Sequence, residues 1–339
     1  MVRAAAGRRF VKLLVTGASG FIGCRLAQIL HGQGHAVIAA GRHANEVESA
    51  RVRRLSDLGI HMQSGSLLEA PFAESIVSGC EAVIHLAAAQ HEGNVPDSYF
   101  REVNVDGTRT LIDAAVKAGA RRFIYGSTIG IYGAARDGEL DESSPPRPEN
   151  IYGQTKLEAE QVVSQYAARI ETCTARISET FGPGDFRLLK LFRGIDRGKF
   201  FIIGDGENLR QVIYVDDLCR ALYLCATQDA AVGETFVLAG AEVMSTQTMV
   251  ERIATVLGRK PPSLRLPIGP FRAAAAVLEA TLKPLGIQPP LTQRRLDFFT
   301  KSFVFSTRKL RERLGFQPEY SFVAAAALTA AWYRENGLL

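Results

Sequence analysis

The sequence predicts an α/β chain built on a doubly wound parallel sheet, with a smaller region in its C-terminal half. Three observations carry this. Short apolar runs alternate with amphipathic segments through the first half. Three glycines, Gly17, Gly20 and Gly23, stand between the first apolar run and the first amphipathic segment. After Phe181, glycines and prolines cluster and the strict alternation stops.

Taken in order, Phe10 to Thr16 reads as a strand and Ile22 to Gln33 as a helix ended by Gly34. Ala36 to Ala40 and Ala82 to Ala87 are further strands, and a helix is expected from about Tyr99 to Ala118. Arg122 to Gly126 is a strand, Tyr152 to Arg169 a long helix, and Thr172 to Ile177 a strand. Such alternation builds parallel β-α-β units, and their ligands bind at the carboxyl ends of the strands. Gln211 to Ala226 reads as a strand plus helix returning to the main sheet. The division expected is 1–177 with 211–240 as the sheet domain, and 178–210 with 241–339 as a substrate-binding region. The alanine runs Ala273–Ala276 and Ala324–Ala327 suggest close helix packing. Met249 to Leu257 and Phe316 to Trp332 read as core helices and termini.

A chain of 339 residues, 47% of them hydrophobic, can bury a core without staples. The net charge of +5 is mild, and the densest basic run, Arg51, Arg53 and Arg54, reads as a solvated helix face. No nucleic-acid partner is expected. The cysteines number five, with no CxxC pair, so neither a disulfide framework nor a zinc or other metal site is suggested. A reducing cytoplasm fits that usage. Met1 to Phe10 lacks the apolar core of a secretory signal. No apolar run is long enough to span a bilayer; the nearest, Phe271 to Leu285, is broken by Arg272, Glu279, Lys283 and Pro284. It reads as a buried or interface helix.

The segment Thr16-Gly17-Ala18-Ser19-Gly20-Phe21-Ile22-Gly23 follows a strand and opens a helix. Gly17 suits a tight turn, Gly20 a close approach of backbone to a pyrophosphate, and Gly23 close helix–sheet packing. Amides at the helix start then face the anion. This makes the sheet Rossmann-like and the ligand a dinucleotide. The end of the second strand ordinarily carries an acidic residue for the ribose of NAD. Here Gly41-Arg42 stands instead. A guanidinium suits the 2′-phosphate of NADP, the plainer reading being a surface arginine. NADP(H) is therefore favoured over NAD(H).

Tyr152 and Lys156 have YxxxK spacing and share one face of a helix. A phenol is too weakly acidic to act as a base near neutrality, and a neighbouring ammonium favours its phenolate. Upstream, Ser127 and Thr128 end a predicted strand. A hydroxyl there can hydrogen-bond a substrate oxygen as its charge changes, or simply cap a turn.

In these residues and their order the chain resembles the extended short-chain dehydrogenase/reductases, also called the epimerase/dehydratase family. The resemblance runs in order through Thr16–Gly23, His85-Leu86-Ala87-Ala88, Asn104-Val105-Asp106-Gly107-Thr108, Ser127-Thr128 with Tyr132-Gly133, Tyr152 and Lys156, Phe181-Gly182-Pro183-Gly184, and Arg210 before Tyr214-Val215-Asp216-Asp217-Leu218. It implies hydride transfer at a secondary alcohol or ketone carbon, with Thr128 as the catalytic hydroxyl, Tyr152 as acid/base and Lys156 as its partner. It implies that Ser19, Phe21, Ile22, Leu67, Leu86, Ala87, Ala88 and Ser127 lie along the cofactor, and that Asn104 braces the site. A small-molecule substrate and a homodimer through the Tyr152 helix follow from the same likeness.

Departures shape the substrate reading. Ser66 stands where many relatives have Asp beside the adenine, and Glu179 where nucleotide-sugar enzymes often have Asn. Arginine after the second strand resembles the dihydroflavonol reductase-like branch, which uses NADP. Gly204-Asp205-Gly206 with Arg210 looks like a segment that contacts a nucleotide diphosphate, and Arg187 and Arg193 could add positive charge. The likeness to 4,6-dehydratases implies Thr-Asp-Glu at the catalytic threonine; here Thr128 is followed by Ile129 and Gly130, so the chain is not expected to be a 4,6-dehydratase. The leading expectation is a nucleotide-sugar epimerase or reductase. The alternative is an NADP-linked reductase or dehydrogenase of a steroid-, flavonoid- or secondary-metabolite-like ketone or alcohol. A non-catalytic dinucleotide sensor ranks below both, because Tyr152 and Lys156 are both kept.

Overall fold

The computed structural model describes residues 12–90, 95–133, 138–282, 287 and 289–339. Six strands come first: β1 (Lys12–Thr16), β2 (Ala36–Gly41), β3 (Met62–Ser64), β4 (Ala82–His85), β5 (Arg122–Thr128) and β6 (Glu171–Ile177). Four two-residue strands follow: β7 (Thr180–Phe181), β8 (Ile202–Ile203), β9 (Leu209–Arg210) and β10 (Ile213–Tyr214). Then β11 (Thr235–Leu238) returns to the sheet, whose seven strands run in the order β11-β6-β5-β4-β1-β2-β3, all parallel. The strand order reverses at β1 and β4, which makes their carboxyl ends the ligand crevice.

Alternation along the strands divides the core. Leu13, Val15, Ile84 and Ile124 pack with α1 (Phe21–Gly32) on one face. The second helix, α2 (Glu46–Asp57), adds Leu55 there. Leu14, Val83, Phe123 and Tyr125 pack on the other face with α3 (Ala70–Val77). Between α3 and the long helix of the site come α4 (Asp97–Arg101) and α5 (Gly107–Lys117). Next is α6 (Ile151–Gln165), which joins α5 on the second face.

The later half adds α7 (Leu189–Asp196), α8 (Val215–Thr227) and α9 (Thr246–Leu257). It ends with α10 (Ile268–Leu282), α11 (Gln293–Thr300), α12 (Arg308–Leu314) and α13 (Phe322–Glu335). Two short ladders tie it together: β9 with β12 (Met244–Ser245), and β8 with β13 (Arg265–Leu266).

Several expectations change. The strand expected at Gln211–Ala226 pairs with β7 and not with the main sheet; β11 is the returning strand. The helix expected from Tyr99 to Ala118 is interrupted by a π-helical turn at Glu102–Asp106. The strand expected at Ala82–Ala87 stops at His85, because the Leu86 and Ala87 backbones leave the ladder to pack against Gly17. The edge strand β3 and helix α3 stand where the sequence named no element, and the helix face read at Arg51, Arg53 and Arg54 belongs to α2. Of the run Ala273–Ala276, only Ala275 is buried, and α10 is largely exposed, with Val277 at 62%. Of the two readings of Phe271–Leu285, the buried one therefore does not hold; its last three residues lie outside the described residues, as do the first two of Phe10–Thr16 and all of Met1–Phe10. Among the described residues no helix is long and apolar enough to cross a membrane.

Candidate active site

Helix α1 begins at the glycine turn with no side-chain cap and no acidic residue in its first turn. Its opening amides lack partners within the helix, which is the arrangement that receives an anion. Gly17 has φ 70°, and a Cβ there would lie 2.8 Å from the Ala87 nitrogen. At Gly23 a Cβ would lie 2.3 Å from the Gly17 carbonyl oxygen, so helix and turn touch backbone to backbone. Gly20 caps α1, and its N–H donates to the Gly17 carbonyl at 2.9 Å. Ser19 is buried, and its hydroxyl donates to the Arg42 carbonyl, joining the turn to the end of β2. Phe21 borders Gly184, and Ile22 packs against the core.

The Arg42 side chain is exposed and donates to the Tyr99 hydroxyl at 3.2 Å. Ser66 stands two residues past Ser64, the strand partner of Gly41, and so lies along the same sheet edge. Its hydroxyl accepts from the Leu68 N–H at 3.3 Å, and Leu67 packs beside Gly107. Leu86, Ala87 and Ala88 follow β4, half-buried, at the crevice.

Arg51 corrects the solvated-face reading of Arg51, Arg53 and Arg54. Its guanidinium turns inward and donates to the Gly184 carbonyl at 2.9 Å and the Ser19 carbonyl at 3.4 Å. Burial pushes its pKa down. It clamps the glycine turn to the segment after β7. No spacing in α2 alone signals this, because both carbonyls come from other parts of the chain.

Thr128 ends β5, and its hydroxyl accepts from the Gly130 N–H at 3.1 Å. Helix α6 starts against this turn: a Cβ at Gly153 would lie 2.8 Å from the Gly130 carbonyl oxygen. That contact brings the helix bearing Tyr152 to the end of β5. Lys156, one turn further on, is 2% exposed, and its Nζ sits 4.1 Å from the centre of the Tyr125 ring. Burial lowers its pKa to about 7, partly opposed by Glu160. Arg176 binds both oxygens of that Glu160, at 3.1 and 2.9 Å. The Ser127 hydroxyl, at the same strand end, is buried and has no hydrogen-bond partner among the described residues.

Sequence reasoning missed Tyr125 as the platform under Lys156. Strand alternation was the available signal, since it puts Tyr125 with Phe123 on the face that α6 covers. It also left the His85 imidazole without a role. Burial and Lys156 push His85 down to about 3, so the ring is neutral. Thr108 Oγ1 donates to the Asn104 carbonyl at 2.6 Å and therefore accepts from His85 Nε2 at 2.9 Å. His85 Nδ1 then accepts from the Thr16 hydroxyl at 2.7 Å. Asn104 exchanges hydrogen bonds with the Ala89 backbone at 2.7 and 3.0 Å and donates to Thr155 Oγ1 at 2.9 Å. The chain of contacts thus reaches from the glycine turn to α6.

The charged residues read as substrate contacts, Glu179, Arg187, Arg193 and Arg210, are engaged with one another or with neighbours. Arg210, 3% exposed, forms a two-pronged pair with Glu179. Arg187 binds Asp185 at 3.2 Å and also donates to the Thr180 carbonyl. Arg193 donates to the Leu338 carbonyl at 3.0 Å.

Comparisons extend these observations. The chain is 31% identical to the uncharacterized protein y4nL of Sinorhizobium fredii, over 96% of both chains. It is 31% identical to 3beta-hydroxysteroid-dehydrogenase/decarboxylase isoform 2 of Arabidopsis thaliana, over 71% of this chain and 46% of that protein, so it spans about half of that relative. It is 26% identical to a dTDP-glucose 4,6-dehydratase of Streptomyces griseus, over 96% of this chain and 94% of the relative. Among solved structures, gox2253 superposes with a TM-score of 0.77 at 25% identity, covering 97% of this chain and 99% of that one. MoeE5 in complex with UDP-glucose and NAD gives 0.72 at 26% identity, over 96% and 99%.

The dehydratase relatives overturn the expectation that a 4,6-dehydratase is excluded. That expectation rested on the two residues after Thr128. An acid and a base need only reach the substrate in space, so sequence adjacency to Thr128 is not a requirement. The model of the NAD dependent epimerase/dehydratase family matches residues 13–239, and the sheet but for its first residue, Lys12, with the glycine turn and the YxxxK helix, falls within that span. The chain is a member of the NAD-dependent epimerase/dehydratase family.

Proposed function

We propose that the chain moves a hydride to or from a secondary alcohol or ketone carbon, with Thr128, Tyr152 and Lys156 as its catalytic residues. The observation that carries this is Lys156, an ammonium sunk beside Tyr125 one turn past Tyr152 and held near neutrality by burial. Desolvating a lysine is costly, and such groups cluster at reactive sites. The nicotinamide, when bound, supplies or accepts the hydride. Tyr152 gives a proton to the carbonyl oxygen in one direction and takes it from the alcohol in the other. Lys156, when charged, favours the Tyr152 phenolate. Thr128 donates to the same substrate oxygen as its negative charge grows.

On the dinucleotide side NADP(H) is favoured over NAD(H). Support comes from exposed Arg42 after β2, where no carboxylate awaits the ribose hydroxyl. The NAD in MoeE5 and in the DesIV double mutant speaks the other way.

For the substrate, a sugar carried on a nucleoside diphosphate leads. End-to-end likeness to dTDP-glucose 4,6-dehydratases supports it, with epimerisation, reduction and dehydration all within reach. An uncharged alcohol or ketone is the second reading. It is favoured by the carboxylates already paired with Arg210 and Arg187, and by the Arabidopsis relative named for a hydroxysteroid.

The test compares the native protein with Tyr152→Phe, each supplied with NADPH or NADH and a panel of UDP- and dTDP-sugars and cyclic ketones. Turnover should fall by about 100-fold or more, the scale of a lost acid/base group. NADPH should bind both proteins, and more tightly than NADH. Undiminished turnover in the variant would sink the catalytic assignment, and a preference for NADH would remove the role given to Arg42.

A further inference from the structure

Glu179 and Arg210 meet at the carboxyl edge of the sheet. Glu179 stands two residues beyond Ile177, the strand partner of Thr128. Its Oε2 accepts from Arg210 Nε at 3.1 Å, and its Oε1 from Nη2. The remaining nitrogen, Nη1, donates to the Phe298 carbonyl at 2.7 Å, and the guanidinium lies 4.2 Å from the centre of the Phe298 ring. The Arg210 side chain is 3% exposed and that of Glu179 is 41% exposed. The carboxylate therefore lies on the solvent side of the guanidinium, and of these partners it is the one an incoming ligand can replace.

We propose that Glu179 is a specificity-determining residue acting as an internal counter-ion. It occupies the fork of Arg210, and an anionic substrate group must displace it before Arg210 can hold that group. A carboxylate and a phosphate offer a guanidinium the same pair of acceptor oxygens. Exchanging one for the other gains Arg210 little, while the displaced Glu179 is left beside a like charge. An uncharged substrate leaves the pair closed. This deepens the reading that substrate binds at this edge of the sheet, yet its test needs no turnover.

UDP is the probe, titrated by calorimetry into protein saturated with whichever dinucleotide it binds. The native protein is compared with Glu179→Gln, Glu179→Ala and the double variant Glu179→Gln/Arg210→Gln. Both single replacements should bind UDP roughly tenfold more tightly or better, the scale of removing one like charge at ion-pair range. The double variant should lose that gain. The gain supports the counter-ion whether native protein binds UDP weakly or not at all. In the latter case the nucleotide-sugar reading falls by itself. Unchanged or weaker UDP binding by single variants that still bind dinucleotide would overturn the proposal, and so would a gain that survives the loss of Arg210.

Discussion

In the unfolded chain Lys156 titrates near the ordinary lysine value, whereas in the folded protein burial lowers it to about 7. Between those values the unfolded chain holds a proton that the folded one has released. Stability therefore rises with pH across that window, by at most about 1.4 kcal/mol per pH unit from this group. Lys156→Met, similar in length and uncharged, removes the contribution. Urea midpoints of dinucleotide-free protein, read from about pH 7 to about pH 9, should climb in the native protein relative to the variant. Parallel profiles would mean that Lys156 keeps its water. The Tyr152–Lys156 spacing was legible because i and i+4 on a helix share a face. The burial of Lys156 was not, since Tyr125 comes from a different element. Arg51 makes the same point: a basic run in sequence became an internal clamp because Ser19 and Gly184 were folded toward it.

At the scale of the element, the π-helical turn at Glu102–Asp106 places Asn104 where one amide serves two segments. An extra residue in a helical turn is a common device for aiming a side chain into a site. Asn104→Ala leaves the Ala89 N–H and carbonyl without their partner in a buried setting. The expected cost is about 3 kcal/mol. Chemical denaturation should show a lower midpoint with an unchanged slope, and a shift near zero would mean that water replaces the amide. Apolar periodicity located the helix but not its interruption, which hydrogen bonds to the Ala89 backbone sustain. The short edge strand β3 escaped notice for a related reason. Met62–Ser64 is too brief to carry an alternating pattern and pairs only because β2 is already in place.

Across the whole molecule one apolar cluster runs from Leu13 in β1 through Phe192 in α7 to Tyr333 in α13. The Tyr333 hydroxyl donates to the Asp185 carbonyl at 2.6 Å, and Asp217 at the start of α8 accepts from the Glu319 N–H at 2.8 Å. With a core shared in this way, the two halves should unfold together. Calorimetry of the full chain should give a single transition with equal calorimetric and van't Hoff enthalpies, and two resolved transitions would oppose a shared core. What the sequence by itself determined was local: the alternation that makes a parallel sheet, the glycine turn that exposes amides at α1, and the helical spacing of Tyr152 and Lys156. Each depends on a few consecutive residues and on backbone periodicity, so it can be read in a line. Tertiary structure alone decided that β11 and not β10 completes the sheet, that Arg51 faces inward, and that Glu179 closes on Arg210. Those outcomes join residues far apart in the chain, and their physical cause is the burial and charge pairing that exist only once the chain has closed on itself.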